Sequence, residues 1–480
     1  MGAEDHGGTP SAGDDDAMQE LQRMLRELLA GGGTAGANFD PATFAQAAGL
    51  PGDPAALQGL FASLQHAMQH PSEGIDWSIA RRSAIDIAGN GTPAADSAPA
   101  LRAFPVASLW LDEVTEVGQA PDAPRAISRI DWVQQTVDTW ISLAEPVAES
   151  ISRSLTEALE GQMPEQLAGA MGGFGPMLRS VGGALFATQL GQIVGKLSHE
   201  VAAGGDVGIP LFQGPGREGG VLIPSGVAAF AEGLDQDAEA VTLYLAVREL
   251  AHSRLFRHTK WLRLHLITAI TDYARGMRID TAHIEELARD LDPSDADRMQ
   301  QLVSSGALIP PKTAEQEAAH ARLETMLALI EGWVDVVTAD AVTRLPGAEA
   351  IAEMVRRRRA VGGPAEHAFG TLVGLELRPR RLREAAAVWR LVAERGGASR
   401  RDALWAHPDL LPTTEELDHP ARLLERLGLA GAEPVATEPD EFDLELAKLL
   451  EGSIPAADPD APEGATSGGY ASGEPTPPPV

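Results

Sequence analysis

Apolar residues recur at i, i+3, i+4 spacing over most of this 480-residue chain, and that regularity restricts it to a mainly helical fold. In Val241–Leu262, residues Leu243, Val247, Leu250 and Ala251 share one face. In Lys312–Val342 the stripe is Leu323, Met326, Leu327, Ile330, Val334 and Val337, with Glu331 at its border. Met177–Val201 places Gly183, Ala187, Gly191 and Gly195 at every fourth position, a stripe that lets a second helix approach closely. The pattern fails between Gly204 and Gly226, which hold eight Gly and three Pro around two apolar runs, Ile209–Phe212 and Val221–Ile223. These runs suit a small hairpin or edge strands, although Pro210 weakens the first, and by composition a bare connecting loop fits the segment at least as well. The expected fold is mainly α with a small β element.

Further helices are expected at Ala17–Ala30, around Leu57–Met68, from Ile75 to Gly89, at Ala107–Val117 and at Trp132–Leu159, with Pro146 breaking the last. More follow at Thr281–Leu291, Ser294–Val303, Ala348–Ala360, Ala365–Leu375 and Arg380–Arg395, and Arg400–Leu427 holds two small ones. Composition divides the chain. Residues 1–16 form a Gly- and Asp-rich segment expected to be disordered, 17–70 carry the N-terminal helices, 71–430 form the main domain, and 431–480 form an acidic, Pro- and Gly-rich tail.

The net charge is −31, and much of it lies at the ends. The first twenty residues carry six acids and no Lys or Arg, and residues 432–480 carry eleven acids against Lys448 alone. The body between is also negative, so a nucleic-acid partner is not expected. The sequence has no cysteine, which excludes a disulfide, a thiolate metal site and a Cys nucleophile and fits a cytoplasmic location. No secretory signal is visible, and Met177–Leu197, with Arg179, Gln189, Gln192 and Lys196, is too polar for a lone membrane span.

Chemistry concentrates in Arg248-Glu249-Leu250-Ala251-His252. In H-E-x-x-H on a helix, two imidazoles one turn apart bind zinc and the Glu activates water. Here His252 supplies one imidazole, Glu249 stands where the base would, and Glu331, on the later long helix, could add a carboxylate. Arg248 cannot ligate a cation, because a guanidinium has no free lone pair. By spacing alone R-E-x-x-H is a weak motif, and a helix with a surface Arg–Glu pair and a hydrogen-bonded His is the commoner reading. His258, six residues on, would project about 120° away on a straight helix and could reach a metal only through a break at 256–258. Trp333, beside Glu331, reads as a packing residue before a cleft wall.

Three blocks add to this reading: RELAHSRLFRHTKWLR, LALIEGWVDVVTADAV and PAEHAFGTLVGLELRPRRLREAAAVW. With IDWSIARRSAIDIAG, they resemble the zincin-like metallopeptidase type 2 family over roughly residues 70–430. Its actinobacterial members are usually described as zinc-dependent metalloproteases or hydrolases. The resemblance implies a zincin-like helical core, Zn as cofactor, His252 and Glu331 as metal ligands, Glu249 as general acid/base, and a peptide or protein as substrate or partner. The sequence departs from the family at Arg248, where the first His ligand belongs. Two function classes follow: a zinc-dependent hydrolase with a degenerate motif, or a catalytically inactive zincin-fold binding or scaffold module in which Arg248 pairs with Glu331 and takes over the metal's electrostatic role.

Other motifs read more plainly. Arg356–Arg359 suits a solvated helix end, where cations complement the helix dipole. Arg378, Arg380, Arg381 and Arg383 suit salt bridges with Glu376 and Glu384. Gly362-Gly363-Pro364 lacks the Lys-Ser/Thr of a phosphate loop, and no G-x-S-x-G elbow supports serine hydrolysis.

Overall fold

The computed structural model describes residues 74–89, 95–162, 174–276 and 312–431. The helices expected within 17–70, at Thr281–Leu291 and at Ser294–Val303 lie outside these residues, as do the segment 1–16 and the tail from 432. Helices dominate the described chain: α1 (Ser78–Gly89), α2 (Ala98–Val114), α3 (Arg129–Gln162), α4 (Phe174–Leu197), α5 (Pro224–Ala231), α6 (Ala238–His258), α7 (Leu262–Arg275), α8 (Ala314–Ala341), α9 (Ala348–Val361), α10 (Pro364–Val373) and α11 (Leu382–Ala403). Two short helices, α12 (Thr414–Asp418) and α13 (Pro420–Arg426), follow two 3-10 turns. The β element is a two-stranded parallel sheet, β1 (Arg125–Ala126) beside β2 (Val221–Leu222).

Helices α6 and α8 form the axis of this body. A helix buried all round needs no single apolar face, and both are enclosed nearly so: every residue of α6 from Tyr244 to Leu255 is buried, as is every residue of α8 from Thr325 to Thr338. α6 starts at Asp237, whose side chain accepts from the Ala240 N–H. α8 starts with a capping box between Thr313 and Gln316. Helix α2 packs along α6, and α7 and α11 along α8.

The small-residue stripe of α4 faces α1, whose Ala80, Ala84 and Ala88 are buried. A Cβ at Gly191 would lie 2.5 Å from the Ala80 carbonyl oxygen, and one at Gly195 would lie 2.7 Å from Ile87 Cβ. The backbones therefore meet at a distance that only glycine permits.

Two expectations need correction. Ile209–Phe212 is a partly buried loop rather than a strand, and β2 pairs in parallel with Arg125–Ala126 and through one antiparallel bridge with Ala203, so the two apolar runs do not pair with each other. Pro146 lies inside an unbroken α3, where Trp140, Leu143, Ala144 and Val147 continue the buried face across it. The lost hydrogen bond is offset by that continuous packing. Among the described residues no helix is long and apolar enough to cross a membrane.

Candidate functional site

Where α6 crosses α8, Arg248, His252 and Glu331 converge. Residues 248 and 252 are one turn apart and project from the same side of α6. Glu331 reaches them from α8 and is fully buried, not at the border of an exposed face. Arg248 Nη2 donates to Glu331 Oε2. His252 Nε2 lies 3.3 Å from Glu331 Oε1. A second guanidinium, Arg359 of α9, brings its Nε to 3.5 Å from Oε1 and donates from Nη2 to the Val207 carbonyl at 3.1 Å.

The electrostatics are those of one buried anion held by two cations. Burial alone would raise the Glu331 carboxyl, but Arg248, Arg359 and His252 together hold it well below the usual carboxylate range. Burial likewise works against the charged form of Arg248, and Glu331 outweighs it, so the guanidinium is held above its ordinary value. His252 is lowered, chiefly by burial, and is neutral at pH 7. An ionised Glu331 can only accept, so Nε2 carries the imidazole proton and donates it. Nδ1 faces Gly205, where a Cβ would lie 2.8 Å from it.

Glu249 points from the neighbouring face of α6 into the glycine-rich loop. Its Oε2 accepts from the Gly205 N–H and its Oε1 from the Val221 N–H, both at 2.7 Å. Burial raises its carboxyl to about 8 against the pull of these donors. The glycines of the loop are spacing devices. A Cβ at Gly205 would lie 2.7 Å from His252 Cβ, and one at Gly208, at φ +77°, would lie 2.5 Å from Glu331 Oε1. Asp206 folds back to accept from the Ala202 and Ala203 N–H groups at 2.6 and 3.0 Å.

The other candidates lie elsewhere. α6 continues unbroken to His258, which is exposed and turned away from Glu331. Trp333 is buried on another side of α8, where its Nε1 donates to Asp402 Oδ1 at 2.9 Å. Sequence reasoning missed Arg359, taking the whole Arg356–Arg359 run as a solvated end. The signal was present: Ile351, Val355 and Arg359 follow at four-residue spacing, so Arg359 continues the buried stripe of α9. Arg356 also turns inward, to Asp335 at 3.2 Å.

A cavity of about 310 Å³ opens beside Glu249 and His252, between the glycine-rich loop and the C-terminal end of α6. Leu211, Phe212 and Phe256 supply apolar wall, the glycine-rich loop supplies backbone, and Arg217, Arg257, Lys260 and Arg263 bring positive charge.

A buried helix pair thus carries Glu249, His252 and Glu331 beside a cleft. The chain matches the family model of zincin-like metallopeptidases over residues 75–424 and belongs to that family. It is also similar in fold to a solved structure from Chloroflexus aurantiacus, described as a "putative hydrolase with a novel fold", at 18% identity and a TM-score of 0.51, covering 74% of this chain and 99% of that one. No curated protein matches.

The family implies zinc, and the donor set tests it. Among the described residues no group of three or more His, Asp or Glu is placed to hold a metal. The Glu331 carboxylate is already bound by Arg248 and approached by Arg359, His252 Nε2 is a donor toward it, and the side chain one turn before His252 is a guanidinium rather than an imidazole. These residues do not fit a zinc ion.

Proposed function

We propose that this chain is a zincin-fold binding module in which the metal centre has been replaced by an Arg248–Glu331–Arg359 ion cluster, and that its cleft takes a peptide without hydrolysing it. The observation that carries this reading is the Arg248 guanidinium on Glu331, on the same side of α6 as the His252 imidazole. A permanent cation there repels a divalent ion and satisfies the carboxylate that would bind it. Glu249 supports the reading independently. Both of its oxygens are engaged by backbone N–H groups, so it staples the glycine-rich loop to α6 rather than standing ready to take a proton from water. The zinc-dependent hydrolase reading rests on family membership and on the hydrolase description of the structural relative.

Metal analysis of the full chain purified without chelators tests the proposal. The wild type is expected to hold zinc far below one ion per chain and to leave peptides intact, and Arg248→His is expected to raise zinc content. Stoichiometric zinc in the wild type, with peptide cleavage that Glu249→Gln abolishes, would overturn it.

A further inference from the structure

The cleft beside Glu249 differs in charge from the molecule around it. The chain carries −31, yet four cations line this one cavity: Arg217, Arg257, Lys260 and Arg263. Against them stand Glu218 and Glu249. Glu218 is taken by Arg257 at 2.6 Å, and Glu249 is tied to the backbone of the loop. Among the described residues Arg217, Lys260 and Arg263 have no ion-pair partner. Arg263 is the telling one. Its Nε is shielded from solvent and has no hydrogen-bond acceptor, and burial lowers its guanidinium with no carboxylate acting to restore it. A buried donor without an acceptor is costly and rare, and a ligand oxygen would relieve it.

The cations come from two directions. Arg217 lies on the glycine-rich loop, Arg257 near the end of α6, Lys260 in the turn after it, and Arg263 in the first turn of α7. Cations spread around the mouth of a small cavity, with Phe212 and Phe256 as apolar wall, suit a ligand with an apolar body and carboxylate oxygens. A guanidinium fork matches a carboxylate in shape. The volume, about 310 Å³, accommodates a few side chains of an extended segment rather than a folded domain.

We infer that the cleft between the glycine-rich loop and the α6–α7 turn is a site for a peptide carboxylate, held by Arg263, Lys260 and Arg217. This rests on the reading of the cleft as a peptide site and adds its chemical class. The carboxylate has two sources, an Asp or Glu side chain or a free C-terminus, which one set of probes separates.

Fluorescence anisotropy of the full-length protein would use four labelled octapeptides. They carry either four Glu or four Gln, each with a free or an amidated C-terminus. Binding is expected for at least one carboxylate-bearing class, weakening as salt rises. A preference for Glu over Gln with both ends amidated assigns the side chain, and a preference for the free end among the Gln peptides assigns the C-terminus. Lys260→Gln with Arg263→Gln should weaken that binding about tenfold or more, and Arg357→Gln on exposed α9 should leave it unchanged. Circular dichroism and thermal melts confirm that the variants fold; Arg217→Gln, at an exposed position, is the second variant if the pair does not.

Equal affinity for all four peptides, or no binding of any, would overturn the inference. Zinc content and cleavage are recorded on the same samples. Cleavage with bound zinc would defeat the non-catalytic reading while leaving the Glu-versus-Gln preference to decide the ligand class. Absence of binding with absence of zinc would defeat the ligand class alone.

Discussion

Glu249 and Glu331 are both buried within the same helix crossing, yet their protons respond to opposite forces. Glu331 has two guanidiniums within reach and is depressed; Glu249 is bonded only to backbone N–H groups, and burial outweighs them and raises it to about 8. The unfolded reference for each carboxyl is 4.5. For Glu331 the stabilising contribution is present above that value and is lost as pH falls through the depressed folded value. For Glu249 the sign reverses. Its contribution is intact below 4.5, declines as the unfolded chain ionises first, and is gone once pH passes about 8. Urea unfolding at several pH values should therefore show the stability difference between wild type and Glu249→Gln shifting against the wild type from pH 5 to pH 8. The limiting slope is about 1.4 kcal/mol per pH unit. A pH-independent difference would mean that Glu249 is ionised in the folded protein. Arg248 and Glu249 were legible as neighbours in one motif. Their separation onto adjacent faces of α6, Arg248 toward Glu331 and Glu249 toward the loop, follows from helical geometry and could have been drawn from the sequence. The second cation, Arg359, depended on noticing that one member of an arginine run continues an apolar stripe.

Periodicity could be read wherever a helix has a consistent demand on one face. The four-residue recurrence in α4 specified a close helix contact, and α1, rich in alanine on its buried side, receives it. Gly191→Val should therefore destabilise the protein by about 1–3 kcal/mol or more, because the added carbon meets the Ala80 backbone, which cannot turn aside. Gly182→Ala, on the same helix with nothing within 4 Å of its added carbon, should be neutral or stabilising by up to about 1 kcal/mol. Urea denaturation of the two variants separates packing from helix propensity. Equal effects would mean that the α1–α4 contact is looser than described. The sheet was less legible. Each strand has two residues, too few for alternation to show, and β1 was not recognisable until the fold brought Arg125 beside Val221. Pro146 misled because a local rule about proline was applied without the buried face that spans it.

At the scale of the whole molecule, the ends of the described body are joined through one carboxylate. Asp402, near the end of α11, accepts from Thr115 Oγ1 at 2.6 Å and the Glu116 N–H at 3.0 Å, just past α2. It also accepts from Trp333 Nε1 of α8 at 2.9 Å and from Arg401 Nε at 2.8 Å. Arg401 extends the junction, donating to the Val114 carbonyl at 2.8 Å, and Trp405 packs edge-on to Trp333 and stacks on Trp389. Trp333 thus serves the joint rather than the cleft. Four donors converge on an anion that an amide cannot replace, since one side of Asn would present N–H to N–H. Asp402→Asn is expected to cost about 2–4 kcal/mol in urea unfolding. It should alter the near-ultraviolet circular dichroism of the tryptophans and leave zinc content and peptide binding as in the wild type. A loss within about 0.5 kcal/mol, the scale of an ordinary surface substitution, would mean that α2, α8 and α11 are held by apolar packing alone. A change in peptide selectivity would mean instead that the joint and the cleft are mechanically coupled through α8.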